Sequence, residues 1–170
     1  MSPDEICRRL GELKIKALFH ELTTDGMKKV LREAKLPTTR LASHTSTRRR
    51  NEDWALRLWR AISEKPLTTT AATLLFEWLT RGRRPMLAEF LTGIDVQHEG
   101  GLTDADFMTS AAPEKLREMG KKLLEHHDRQ EVAAYLLFLD ASNKSEVFAE
   151  LQLEPLLATP PVSEPVAQAP

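Results

Sequence analysis

The stretch TSTRRRNEDWALRLWRAI, residues 45–62, sets three consecutive arginines beside two tryptophans, and its period decides the fold. At 3.6 residues per turn, Trp54, Ala55, Leu58, Trp59 and Ile62 share one broad face, while Arg50, Asp53, Arg57 and Arg60 take the opposite one. The segment therefore predicts an amphipathic helix whose indoles anchor a core and point mainly away from the arginines. A platform for stacking bases would instead set its aromatics beside its cations.

The same period runs outward in both directions, and no set of alternating strands competes with it. In SPDEICRRLGELKIKALFHEL, Ser2 caps a helix, Pro3 fits the first turn, and Asp4 and Glu5 face the positive dipole end. Ile6, Leu10, Leu13, Ala17 and Leu18 are expected on one face. TTDGMKKVLREAKLP begins with a threonine cap, carries Met27, Val30, Leu31 and Ala34 on one stripe, and stops before Pro37. These two helices should pack antiparallel across a short turn. Residues 38–47, TTRLASHTST, form the longest candidate loop in this half.

Beyond the opening stretch, LTTTAATLLFEWLTRG predicts a helix capped near Thr68 or Thr69, with Ala72, Leu75, Trp78 and Leu79 facing inward and Gly82 suited to a left-handed cap. A short helix restarts at Pro85, and IDVQHEGGL reads as a loop with a few extended residues. SAAPEKLREMGKKLLEHH follows with Leu116, Met119, Leu123 and His127 on one side. Asp128 and Glu131 suit a capping box for RQEVAAYLLFLDA, which is apolar on nearly every side and reads as the central helix. A final short helix lies near SEVFAELQ. Five of the ten prolines then fall within residues 155–170, a stretch with too little apolar surface to offset the entropy of ordering. The expectation is one all-α domain of seven or eight helices over residues 2–157, with a disordered Pro/Ala-rich tail over 158–170.

Bulk properties fit that fold. A chain of 170 residues can bury roughly 70% of the surface its unfolded form exposes, so no metal or disulfide staple is needed. With 41% hydrophobic and 29% charged residues and a mean hydropathy of -0.37, the composition is neither that of a disordered chain nor that of a membrane-spanning one. The lone Cys7 points to a reducing compartment. The charged start MSPDEICRRLGEL lacks the apolar run of a secretory signal. The location expected is the cytoplasm, without membrane contact.

Catalytic signatures are missing from the pattern. The seven glycines make neither a phosphate-cradling loop nor a dinucleotide fingerprint, and Cys7 has no adjacent base. Neighbours His126 and His127 project about 100° apart on a helix, a poor arrangement for one metal, and no H-x-x-x-H pairing occurs. No catalytic, cofactor-binding or metal-binding residue is assigned, and no enzymatic activity is expected.

Charge is the feature above background. The net charge of -1 conceals 14 basic against 5 acidic residues over 28–84, and 6 basic against 15 acidic over 85–170. The reading favoured is a protein-protein interaction or adaptor protein that uses opposed basic (28–84) and acidic (85–157) surfaces to bind another protein or a second copy. The alternative is a nucleic-acid-binding protein gripping phosphates, without base readout, through the basic segment 28–60. Its candidate polyanion contacts are Lys28, Lys29, Arg48, Arg49, Arg50, Arg57 and Arg60, to which RGRRP adds Arg81, Arg83 and Arg84.

Two local likenesses bear on these readings. LTTDGMKKVLREAKLP resembles the first helix of SAP-type DNA-binding modules, but the compact second half of such a module does not follow. A helix-turn-helix at residues 69–92 fails because PMLAEFLTG offers no Arg, Lys, Asn or Gln to read base edges. More extensively, LLFEWLTRGRRPMLAEFLTGIDVQHEGG and KLLEHHDRQEVAAYLLF resemble a group of small, uncharacterised all-helical bacterial proteins over about residues 70–140. That resemblance implies a helical fold and a bacterial, cytoplasmic origin, and no activity.

Overall fold

A computed structural model describes residues 1–38 and 46–158, and among these the chain is helical without a strand. The helices are α1 (Pro3–Glu21), α2 (Thr24–Glu33), α3 (Thr47–Glu64), α4 (Thr68–Gly82), α5 (Arg84–Gly93), α6 (Phe107–Ser110), α7 (Pro113–His126), α8 (Arg129–Asn143) and α9 (Glu154–Leu157). A single 3-10 turn, Ala149–Leu151, precedes α9. Seven of the nine helices have ten residues or more, and α6 and α9 are four-residue turns. Most of the expected 38–47 loop and all but Ala158 of the expected tail lie outside the described residues.

Several ends are fixed by the chemistry their sequence suggests. Ser2 and Glu5 form a capping box, with Glu5 accepting from the Ser2 backbone at 2.6 Å. Thr23 accepts from Gly26 N at 3.0 Å, and Asp128 accepts from Glu131 N at 3.0 Å. α4 differs: its cap position is Leu67, and Thr68, already helical, donates its hydroxyl to Asp4 at 2.8 Å. Nor is Gly82 a left-handed cap. It is the last residue of α4, and the left-handed exits fall on Lys35, Asp95, Lys144 and Gln152.

α1 departs most from its helical wheel. Leu13 is 76% exposed and Ala17 is exposed too, while Ile15, Leu18 and Phe19 are wholly buried. On an unbroken helix Ile15 would stand about 180° from Ile6. Gly11 resolves the conflict: at φ 80°, ψ 170° it breaks the helix and turns the following segment so that a second face meets the core. That backbone region is open essentially to glycine alone.

α1 packs against α4, α3 and α8, and α2 lies on α4 rather than on α1, so the antiparallel hairpin expected there does not form. α4 buries Thr70, Ala71, Leu74, Leu75, Trp78 and Leu79, so Leu75, Trp78 and Leu79 face inward as expected, while Ala72 is partly exposed. α1 and α4 run parallel, joined at their starts by Thr68–Asp4 and at their ends by Trp78 Nε1 donating to Glu21 at 3.2 Å. α7 and α9 complete the core against α8. There Phe90 meets Tyr135, Phe107 and Phe148 edge-on, with centroids 5.5, 6.1 and 6.3 Å away. Asp140, a buried acid on the apolar α8, is satisfied by Ser145 Oγ at 2.6 Å and by the Val147 and Phe148 amides at 3.0 and 3.1 Å. These bonds set the turn that carries the chain from α8 into its last helix.

Gly101, at φ 86°, lies so close to α5 that an added Cβ would stand 2.6 Å from the Arg84 carbonyl. Gly11 is the cleaner test of backbone conformation, since nothing lies within 4 Å of a Cβ there. Gly11→Ala is expected to destabilise the protein by about 1–2 kcal/mol in urea unfolding, from backbone strain net of the smaller unfolded-state gain. A neutral substitution would mean that the break in α1 does not require glycine.

Candidate functional site

The ten candidate cations divide into those used by the fold and those left over. Ser46 caps α3, its Oγ accepting from Arg49 N at 3.3 Å, so Arg48, Arg49 and Arg50 fall in or beside the first helical turn. Cations there oppose the helix dipole by roughly 0.3–1 kcal/mol each. Arg48 is paired one turn on with Glu52 at 3.1 Å. Arg50 lies over the ring of Trp54, 4.8 Å from its centroid. That contact corrects the expectation that the indoles stand clear of the arginines. Trp54 is buried, but a guanidinium forms part of its cover, and Trp59 is only half-buried.

Further along α3, Arg57 Nε stands 2.8 Å from Asp53, whose buried Oδ2 has no aligned hydrogen bond, and Lys29 on α2 meets Glu77 on α4 at 2.6 Å. Arg84 Nε donates to the Thr80 carbonyl at 2.8 Å, closing the end of α4. Lys28, Arg49, Arg60 and Arg81 are exposed and make no ion pair among the described residues.

Arg83 is no surface cation. Its Nε and one terminal nitrogen donate to both oxygens of Glu131, at 2.5 and 2.6 Å, and the other donates to Glu21 at 3.0 Å. Its guanidinium lies 5.0 Å from the Trp78 ring centroid, and Lys14 adds a bond to Glu131 at 3.1 Å. Burial acts most strongly on Glu131 and would raise its pKa, but the hydrogen bonds from Arg83 and Lys14 outweigh it and hold the carboxyl below the usual carboxylate range. Glu131 does not complete the expected capping box: its backbone N–H meets Asp128, but its side chain is spent on Arg83 and Lys14.

The groups able to do chemistry are similarly occupied. Cys7 is fully buried, and burial pushes its thiol far above the range of a reactive cysteine. Thr92 Oγ1 lies 2.9 Å from His98 Nε2, the spacing of a nucleophile and its base. However, His98 Nδ1 accepts from Gly101 N at 3.2 Å, so the neutral ring carries its proton on Nε2 and donates to the hydroxyl. The threonine is not activated.

His126 and His127 do not diverge as helical neighbours would. α7 ends at His126, and His127 is extended at φ -126°, ψ 173°, so both rings reach Glu89: His126 Nδ1 to Oε1 at 2.6 Å and His127 Nε2 to Oε2 at 2.8 Å. Those two hydrogen bonds hold Glu89 below its ordinary pKa. Among the described residues, no three His, Cys, Asp or Glu side chains are placed to hold a metal ion. No helix among them is long and apolar enough to cross a membrane.

Against protein-family models, curated proteins and solved structures, the chain finds no match.

A carboxylate held low contributes stability that is present above its unfolded pKa and is lost as pH falls toward the folded one. Glu131→Gln should therefore lower stability by about 1–3 kcal/mol at neutral pH. Urea unfolding at several pH values should show the gap to the parent closing below about pH 4. A gap independent of pH would contradict the role given to the ion pair.

Proposed function

We propose that this chain is a non-enzymatic interaction protein that docks a cytoplasmic protein partner through segregated surface charge. The observation that supports the reading is what internal pairing leaves over. In the 28–84 segment Lys28, Arg49, Arg60 and Arg81 are exposed and make no ion pair among the described residues, and in the 85–157 segment the same holds for Glu99, Asp104, Glu125 and Glu146. Opposed potentials of this kind raise encounter rates and select partners by charge. The engaged states of Cys7, Thr92 and His98 agree with a role that needs no catalytic group, and the single unpaired cysteine agrees with a reducing compartment.

A second reading, phosphate gripping, is favoured by one feature: Arg48, Arg49 and Arg50 crowd the start of α3 against its dipole. Breaks in local rules concentrate at functional or strained sites. It is the weaker reading because Lys29, Arg48, Arg57 and Arg83 are already neutralised by carboxylates of the same chain.

Fluorescence anisotropy with labelled single- and double-stranded DNA and RNA separates the two. The protein-docking reading expects no binding at about 50 mM salt; binding that weakens with a log–log slope of roughly -4 to -5 would replace it with the phosphate reading. In parallel, affinity capture from the native host should recover a partner that is lost when Arg49, Arg60 and Arg81 are changed together to Glu. Equal recovery by that variant would contradict charge-directed docking.

A further inference from the structure

A single carboxylate gathers two histidines where three helices meet. Glu89 stands on α5, His126 ends α7, and His127 lies between α7 and Asp128, the cap of α8. Each Glu89 oxygen takes one ring nitrogen, Nδ1 of His126 at 2.6 Å and Nε2 of His127 at 2.8 Å. An ionised carboxylate only accepts, so each of these nitrogens is the donor. The other nitrogen of each ring, Nε2 of His126 and Nδ1 of His127, takes no part in these bonds. What they hold is part of the core, because α5 buries Met86, Leu87, Phe90 and Leu91.

That arrangement fixes how the cluster answers protons. A neutral imidazole has one N–H, and here it is already committed to Glu89. A second proton goes to the outer nitrogen, so it breaks no bond and turns that ring's contact into a charge-assisted one, roughly twice as strong. Imidazoles change charge between about pH 5 and 8. Glu89 stays ionised over that range, because the hydrogen bonds from His126 and His127 hold its carboxyl below the usual carboxylate range. His20 and His98, the other described histidines, make no ion pair among the described residues.

The remaining charges of the surrounding helices are mostly engaged. On α7, Lys122 stands 3.4 Å from Glu118, and Glu125 is exposed without an ion pair among the described residues. Toward α8, Asp128 accepts from Glu131 N, and Arg129 is exposed and likewise unpaired. On α4, Glu77 pairs with Lys29 and Arg81 is exposed; at the junction with α5, Arg83 is taken by Glu131 and Glu21, and Arg84 by the Thr80 carbonyl.

We propose that Glu89, His126 and His127 form a proton-responsive clamp that holds α5 to the α7–α8 turn more firmly at about pH 5.5 than at pH 8. The carboxylate part of this stability is present above the unfolded pKa of Glu89 and is lost as pH falls through the lower, folded one. The imidazolium part enters as pH falls from 8. Between these limits both charges coexist, and the clamp is strongest at about pH 5–6.

Urea unfolding of the full chain and of Glu89→Gln at pH 8 and pH 5.5 tests it. None of the three residues is buried, so the variants should keep their helices by circular dichroism. The ratio of the two unfolding equilibrium constants should be at least about threefold larger at pH 5.5 than at pH 8, the scale of a partly exposed ion pair. Gln still accepts a hydrogen bond, so a merely structural loss would not move with pH. In a chain carrying both His126→Asn and His127→Asn, Glu89→Gln should cost the same at the two pH values. A ratio that is equal at pH 8 and pH 5.5, or a pH dependence that survives removal of both rings, would overturn the proposal.

Discussion

The Arg83–Glu131 ion pair is the constraint on which the arrangement of this bundle turns. Arg83 ends α4 and opens α5, and from that junction its guanidinium reaches the start of α8 through Glu131, the end of α1 through Glu21, and the face of Trp78. Glu131 in turn takes Lys14 from α1. Both partners are more than three-quarters shielded from solvent, and the contact is bidentate, which gives direction as well as energy. A buried pair of this kind costs desolvation, so its value lies in the partner each charge would lose if the helices moved apart.

The same pair alters the meaning of the charge pattern. Arg83 belongs to the basic segment and Glu131 to the acidic one, so part of the separation visible along the chain is cancelled in space, inside the molecule. What survives is the exposed remainder, and it is this remainder that any partner meets. Counting every arginine of the basic segment as available overstates the polyanion surface, because Arg50 covers an indole, Arg57 faces Asp53 and Arg84 closes a helix end. Function, in this reading, follows from the cations the fold does not use.

Much of the fold was legible in the sequence. Local rules placed the Ser2, Thr23 and Asp128 caps, the stripe of α2 and the buried face of α3, because each depends on residues within a few positions of one another. The failures share a cause as well. Periodicity assumes an unbroken helix, so the turn at Gly11 and the exposure of Leu13 were out of reach, although a glycine amid good helix formers was a signal. That α2 rests on α4, that Glu131 serves Arg83 rather than its own cap, and that Glu89 gathers two histidines are contacts between distant elements. The apolar positions of α4 spread over slightly more than half of the helix, wider than the core covers, and only packing shows that Phe76, at one border, is left exposed.

The most direct measurement is a double-mutant cycle on Arg83 and Glu131, using Arg83→Met, Glu131→Gln and the pair, with unfolding free energies from urea titration at neutral pH. If this ion pair joins the helices as described, the two single losses overlap and the coupling energy is at least about 1 kcal/mol. Losses that add to within about 0.5 kcal/mol would show that the two side chains act independently, and the joint between the basic and acidic segments would have to be sought elsewhere.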